Sequence, residues 1–472
     1  MQYDNLVIEA SEARTEATPN KGRLLHFKVR VLESLHGEMA AEEAISVEID
    51  DKQLQPAIQK LNSRGLDQTG MIALGRTLAL LLLPTKPAGA RTGVRELFDL
   101  NLARIGPEQG LRLRLRLPTR LAALPWEYLY VDRAGGGDGM DGFLALDPRV
   151  SIIRHQALAA TIVQPRTPAQ ITVVAALASA EGFAPLDLDR EQHDLEQAFA
   201  AQAGIKPIIL RDATLAEVQQ AVTDAHVFHF AGHGVFSQEM SDEPGVYVGT
   251  GALALEDQRV DAEQFGINLR GSVRLAMLGG CETGQQDGVN VWSGVAPALV
   301  KAEIPVVVSN QFSVTDACAV AFSKAFYQAL VGGLSVERAV SNGRIAAFNA
   351  DPAGRDWGTA VLYLRAADSN LFTGIEDQTV STQAAAQARA QATVRVERVA
   401  AGAYVTGFKV GTMSSGSLVA TVTVGDVAGD VTGTRITWMV GGDLDTSVEA
   451  RNAAPGAVII GGVIDNLGAP DR

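Results

Sequence analysis

His233 and Cys281 are the two side chains of this sequence whose types and settings fit covalent chemistry. Each follows a short apolar run at a turn of small residues. The first run reads Asp224-Ala225-His226-Val227-Phe228-His229-Phe230-Ala231-Gly232-His233-Gly234, the second Val273-Arg274-Leu275-Ala276-Met277-Leu278-Gly279-Gly280-Cys281-Glu282-Thr283-Gly284. A free thiol titrates near about 8.5, so only a minor fraction is thiolate at neutral pH. A neighbouring imidazole can take the thiol proton or hold the thiolate as an ion pair, and once protonated can give its proton to a leaving amine. That is acyl transfer, and on a polypeptide it is proteolysis. Gly232, Gly234, Gly279 and Gly280 would let a substrate backbone come close. The backbone N–H groups of Gly234 and Cys281 are candidates to hold the tetrahedral oxyanion.

A blander reading stands beside each residue. A lone histidine is more often structural, and a lone cysteine more often a small buried hydrophobe. The joint pattern favours chemistry, because each residue ends its own strand-like run and each is flanked by glycine. His226 and His229 lie inside the first run and read as satisfied core or flanking residues. Cys318 sits early on a predicted helix and reads as a packing residue. With two cysteines and no Cys-x-x-Cys pair, a structural zinc site is a poor alternative. No metal and no cofactor is expected.

The pair must be positioned by the elements around it. From 166 to 368 the sequence alternates apolar strand-like runs (171–177, 207–210, 305–309 and 359–364, besides the two above) with helical patterns. Those helices are expected over 186–203, 215–222, 293–302, 316–331 and 336–348, with a hairpin insertion over 247–260. Buried strands alternating with helices predict an α/β fold, a mostly parallel sheet covered on both faces. Ligands of such sheets sit beyond the strand carboxyl ends, where His233 and Cys281 fall.

Upstream, residues 1–165 read as a mixed α+β part rich in strands. Residues 111–117 alternate strictly, predicting leucines inward and Arg112, Arg114 and Arg116 on a solvated outer face rather than an anion site. Gly135-Gly136-Gly137-Asp138-Gly139 predicts a mobile connection. It lacks the Lys-Ser/Thr of a phosphate-binding loop, which weakens a nucleotide-binding reading. Pro165 and Pro168 mark a linker. Downstream, 369–393 is an Ala/Gln-rich spacer, and 394–472 is rich in Gly, Val and Thr. Val405-Thr406-Gly407-Phe408-Lys409-Val410-Gly411-Thr412-Met413 is similar to Val431-Thr432-Gly433-Thr434-Arg435-Ile436-Thr437-Trp438-Met439, an offset of 431 − 405 = 26. This reads as a two-copy β repeat, too small for a solenoid, forming an appended sheet or adding a strand to a neighbour.

Composition limits the function classes. The chain has 472 residues, 47% hydrophobic and 20% charged, with a net charge of −14, so bulk nucleic-acid binding is disfavoured. Two cysteines suit a reducing compartment. The first residues lack the basic start and apolar core of a signal peptide. The densest apolar run, 78–83, has six residues; a membrane span needs about 20. A cytoplasmic protein without a membrane anchor is expected.

The sequence resembles the CHAT family of caspase-like cysteine peptidases, related to separase. The matching text includes His229-Phe230-Ala231-Gly232-His233-Gly234 and Leu278-Gly279-Gly280-Cys281-Glu282-Thr283-Gly284. It extends over 306–316, Phe326-Tyr327-Gln328-Ala329-Leu330, Asp356-Trp357-Gly358 and, upstream, Leu124-Pro125-Trp126-Glu127. The separation of His233 and Cys281, 281 − 233 = 48, is also similar to that of caspases. The resemblance covers roughly 1–366. It implies that His233 is the general base and acid and Cys281 the nucleophile. Ser313-Val314-Thr315-Asp316 is similar to the segment that holds an acid in the primary specificity pocket, which implies that Asp316 pairs with Arg or Lys before the scissile bond. The family often has tryptophan where Phe312 stands. The competing reading of Asp316 is a helix N-cap.

The expectation is therefore a cysteine endopeptidase preferring a basic residue before the cut. The resemblance implies a role in bacterial defence or regulated cell death and activation by a signal or partner, with gasdermin-like pore formers one class of protein substrate. Residues 394–472, outside the match, are expected to recruit a regulatory partner or restrain the peptidase, and Arg389, Arg395 and Arg398 are conceivable self-cleavage positions. The alternative is a caspase-like scaffold that binds a partner through its C-terminal β region and does not cut.

Overall fold

The computed structural model describes residues 2–17, 23–106, 109–132, 138–155, 170–183, 186–200, 204–240, 247–279, 292–365, 370–372, 389–399, 404–413, 417–427, 430–439, 443–453 and 459–467. Cys281, glycines 135–137, the proline linker and spacer residues 373–388 lie outside the described residues. The chain divides into two compact units, Met1–Ile375 and Glu376–Arg472.

The first unit begins with β1 (Gln2–Ala17), β2 (Arg23–Glu33), β3 (Ile45–Asp50), α1 (Asp51–Asn62), α2 (Gln68–Leu82), α3 (Val94–Arg104), β4 (Gln109–Arg116), α4 (Thr119–Ala122) and β5 (Val150–Arg154). It continues with β6 (Ile171–Leu177), α5 (Leu188–Ala200), β7 (Ile205–Leu210), α6 (Leu215–Ala221), β8 (Val227–Ala231), β9 (His233–Met240), β10 (Tyr247–Ala254) and β11 (Arg259–Asp261). It closes with α7 (Ala262–Leu269), β12 (Leu275–Gly279), α8 (Trp292–Lys301), β13 (Val306–Asn310), α9 (Asp316–Val331), α10 (Val336–Ala350) and β14 (Ala360–Leu364). Helix starts follow capping chemistry. Thr214 and Glu217 form a reciprocal capping box at α6, and the Asp67 carboxylate accepts from the Gly70 N–H at α2.

Among the described residues, eleven strands form one sheet in the order β3-β2-β1-β4-β5-β14-β13-β12-β8-β6-β7. Its pairs from β13 to β7 are parallel, and β14 runs antiparallel to β13. The fold is thus the expected α/β architecture, a mostly parallel sheet with helices on both faces. Period-two alternation divides each strand between two cores. Val173, Ala175, Leu177, Val227, Leu275 and Met277 join the core that holds Phe326 and Tyr327 of α9. Val174, Ala176, Phe228, Phe230, Ala276 and Leu278 join the opposite one, with Phe265 of α7 and Leu299 of α8. β9, β10 and β11 form a separate antiparallel sheet whose β10–β11 hairpin is the insertion expected over 247–260.

The stretch before residue 165 is mixed α+β as expected, with β1 to β5 and, over 51–104, α1, α2 and α3; the apolar run at 78–83 lies mostly in α2. One expectation for this part is corrected. The arginines of β4 are not a solvated row. β4 lies between β1 and β5, with both faces covered, so Arg112 is buried and pairs with Glu337 of α10. Burial also lowers the Arg114 pKa.

Among its described residues, the second unit has six strands: β15 (Arg389–Val399), β16 (Tyr404–Met413), β17 (Ser417–Val427), β18 (Asp430–Met439), β19 (Asp443–Ala453) and β20 (Ile459–Leu467). They form two parallel three-stranded sheets, β15-β17-β19 and β16-β18-β20. Consecutive strands alternate between the sheets, which is a solenoid of three coils with two strands per coil. The two-copy reading is therefore corrected. Strand starts at Tyr404, Ser417, Asp430 and Asp443 are 13 residues apart (417 − 404 = 430 − 417 = 443 − 430 = 13). Strands of one sheet recur after two units, so the 26-residue similarity hid the 13-residue one. Arg389, Arg395 and Arg398 all lie within β15. Among the described residues, no helix is long and apolar enough to cross a membrane.

Candidate active site

β8 and β12 are parallel neighbours, in register from Val227 opposite Leu275 to Ala231 opposite Gly279. β13 lies on the far side of β12, with Ser309 opposite Leu278. The carboxyl ends of all three strands therefore meet at one sheet edge. His233 comes two residues after Ala231 (233 − 231 = 2), and Cys281 two residues after Gly279 (281 − 279 = 2). Adjacent strands are about 4.8 Å apart. The register thus brings His233 to the edge where the chain leaves β12 toward Cys281. β6 lies on the other side of β8, and the chain runs from β6 to β7 on one side and back to β8 on the other. Such a reversal opens a crevice at the strand ends.

His233 is 8% exposed and opens β9, opposite Ala254. Its ring stacks on Phe183, centroids 4.8 Å apart and planes within 14°. The Arg259 guanidinium lies over the Phe183 ring at 5.1 Å. Phe183 comes from the loop after β6, so the crevice wall fixes the imidazole plane. Gly232 makes the turn into β9 sterically feasible. A Cβ there would lie 2.5 Å from the Phe230 ring and 3.1 Å from the Ala178 carbonyl oxygen. Gly234 lies in β9 opposite Leu253.

The two histidines just upstream, His229 inside β8 and His226 immediately before it, are occupied, as expected. His229 is buried, and its Nδ1 lies 2.9 Å from the Tyr327 hydroxyl. Burial lowers its pKa to about 4. His226 Nδ1 accepts the Thr172 N–H at 3.0 Å. Cys318 is fully buried with Sγ 3.5 Å from the Ala347 carbonyl oxygen, and burial raises its pKa. Among the described residues, no three His, Cys, Asp or Glu side chains converge as metal ligands.

Asp316 follows β13 on the same edge. It is the first residue of α9, not its N-cap, a position taken by Thr315. Its carboxylate is 40% exposed and pairs with Arg190 of α5 at 2.9 Å. Asp194, one turn along α5, lies 3.9 Å from the same guanidinium, and burial first, with Asp316 nearby, raises its pKa. Asp316 and Asp194 thus hold a guanidinium of the chain itself at this end of the sheet.

The segment between β13 and α9 is held by residues whose part was not assigned from sequence. Gln311 donates to the Glu127 carboxylate and to the Gly358 carbonyl, both at 2.9 Å. Glu127 is fully buried and also pairs with Arg154 at 2.6 Å. The Asp356 carboxylate accepts from the Thr315 N–H and hydroxyl, both at 2.8 Å, and from Arg64 at 2.6 Å. The Arg355 guanidinium lies 5.1 Å from the centre of the Phe312 ring. Two motifs distant in sequence thus fix the loop that leads to Asp316. A charged residue inside an apolar motif, Glu127 after Trp126, was the available signal.

The family model of the CHAT domain matches residues 90–366, more than half of the chain. No curated protein matches the sequence. Among solved structures, a chain of the Saccharomyces cerevisiae separase–securin complex at 3.0 Å is similar at 12% identity and TM-score 0.38, covering 76% of this chain and 30% of that one. The 2.6 Å structure of that complex gives 15% identity and TM-score 0.34, covering 67% and 20%. Protein GSU0716 from Geobacter sulfurreducens gives 14% identity and TM-score 0.28, covering 43% and 96%. The chain therefore spans less than a third of either yeast chain.

Proposed function

Because the chain belongs to the CHAT domain family, we propose that it is a cysteine endopeptidase whose Cys281 thiolate attacks a peptide carbonyl while His233 manages the proton. The observation that carries this reading is the register of β8 on β12, with Ala231 opposite Gly279 and both candidate residues two positions further on. His233 takes the thiol proton as sulfur bonds to the carbonyl carbon and returns it to the leaving amine. Water then cleaves the thioester with His233 again as base. Gly234 and Cys281 N–H groups are the candidates for the oxyanion. Asp316 selects Arg or Lys before the cut, a reading supported by the guanidinium it already holds. A cytoplasmic setting rests on the cysteine count and the short apolar runs of the sequence; a role in defence or regulated cell death, gasdermin-like substrates and activation by a partner rest on the family resemblance.

The test is a panel of peptides identical except for Arg, Lys or Ala before the cut, together with an arginyl electrophile that captures a thiolate. Wild type should cleave the basic peptides and retain one electrophile at Cys281, and Cys281→Ala should do neither. Asp316→Asn should lose about ten- to a hundredfold in kcat/KM on the basic peptides and little on Ala. Equal labelling of wild type and Cys281→Ala sinks the peptidase reading. An unchanged preference in Asp316→Asn removes Asp316 from the pocket.

A further inference from the structure

We propose that the C-terminal solenoid binds a second copy of this chain, with β15 and β16 of one copy stacking on β19 and β20 of the next in a head-to-tail array. Among the described residues, β15 and β16 at one end and β19 and β20 at the other each have one hydrogen-bonded neighbour in their sheets. Edge strands with free backbone donors and acceptors are templates for further pairing. In a solenoid of repeated units the two ends offer matching backbone geometry, so the same stacking step can continue into another copy.

The register shows which positions would meet. Inside the chain, Arg389 stands opposite Ser417 and Ser417 opposite Asp443; Arg395 stands opposite Thr423 and Thr423 opposite Glu449. Glu397, Gly425 and Arg451 are the sequence positions between the rungs Val396–Val424–Ala450 and Arg398–Asp426–Asn452, so continuity of the register sets them level. At these three positions the middle coil is uncharged while the two ends carry opposite charges. Continuing the same register into a second copy sets Arg389 opposite Asp443, Arg395 opposite Glu449 and Glu397 opposite Arg451. It puts no like charges opposite one another along β15 and β19.

The other sheet is compatible. In register, β16 on β20 sets Val405 opposite Ile459, Val410 opposite Ile464 and Met413 opposite Leu467, with Lys409 opposite Val463. Opposite-charge and β-branched neighbours across strands favour pairing, and like charges oppose it. Because the two interacting ends differ, the contact is heterologous and does not close on itself as a twofold dimer does. This inference is independent of the peptidase reading, since it uses no residue of the first unit.

The test is sedimentation velocity of the full chain over a range of concentrations. Wild type should gain mass progressively with concentration. Arg389→Glu/Arg395→Glu, which reverses one end, and Asp443→Arg/Glu449→Arg, which reverses the other, should each need about tenfold or more higher concentration for the same mass. An equimolar mixture of the two variants, whose unlike ends are again complementary, should recover assembly. That recovery also establishes that both variants fold. A wild type that stays a single chain, a closed dimer, variants that assemble like wild type, or a mixture that fails to recover would each overturn the proposal.

Discussion

His229 and His233 stand four residues apart and meet opposite environments. His229 sits inside β8 between packed layers, bonded to Tyr327, and burial holds it neutral with a pKa of about 4. His233 sits past the strand end against Phe183. Only the second lies at the strand-end edge where the proposed proton transfer would occur. The depressed His229 value has a consequence for stability. Its ordinary value is 6.5, so below that pH the unfolded chain binds a proton that the folded chain refuses. His229 therefore leaves stability intact above about 6.5 and removes it as pH falls toward about 4, by on the order of 3 kcal/mol. Urea midpoints at pH 7 and pH 5 should differ less for His229→Gln than for wild type. Equal pH dependence in the two proteins would contradict this assignment.

At the scale of elements, the site is an edge where β8, β12 and β13 end together, with α5 and α9 carrying the acidic spot beside it. Arg190 and Asp316 are half exposed, so their pair contributes little to stability, about 0–1 kcal/mol. Under the proposed role of Asp316, the pair would act by competition, since a substrate guanidinium would have to displace Arg190. Arg190→Ala should lower KM for arginyl peptides by up to about fivefold with kcat unchanged. An unchanged or raised KM would show that the pair does not compete with substrate. The strands and helices around this edge were legible because buried parallel strands are short apolar runs and their helices carry their own caps. The line from 316 to 331 was readable as a helix, but not the identity of its cap. Thr315 takes that position because Asp356, 41 positions away, holds its N–H and hydroxyl. The buried arginine of β4 was misread for a related reason. Alternation reports that two faces differ, but not that α10 and Glu337 cover the second one.

At the scale of the molecule, one unit carries the candidate chemistry and the other an ordered stack of strands with complementary ends. The pair of segments around His233 and Cys281 stood out in sequence because a candidate nucleophile site has local features: an apolar strand, a small-residue turn and one reactive side chain. The solenoid was only half visible. Its alternation and its 26-residue similarity were plain, but coil stacking is a long-range register that appears only when the strands are paired. Joined head to tail, such units would raise the local concentration of the attached peptidase units, a route by which assembly and cleavage can be coupled.

The central claim is that His233 acts on the Cys281 thiol. The most direct measurement is the rate of Cys281 alkylation from pH 5 to pH 9, read by peptide mass mapping in wild type and His233→Ala. Cys318, buried and raised in pKa, should stay unlabelled in both and serve as the internal control. The account predicts that wild-type Cys281 reacts well below the ordinary thiol range near about 8.5, and that His233→Ala moves the profile up to that range. Superimposable profiles in the two proteins would contradict it.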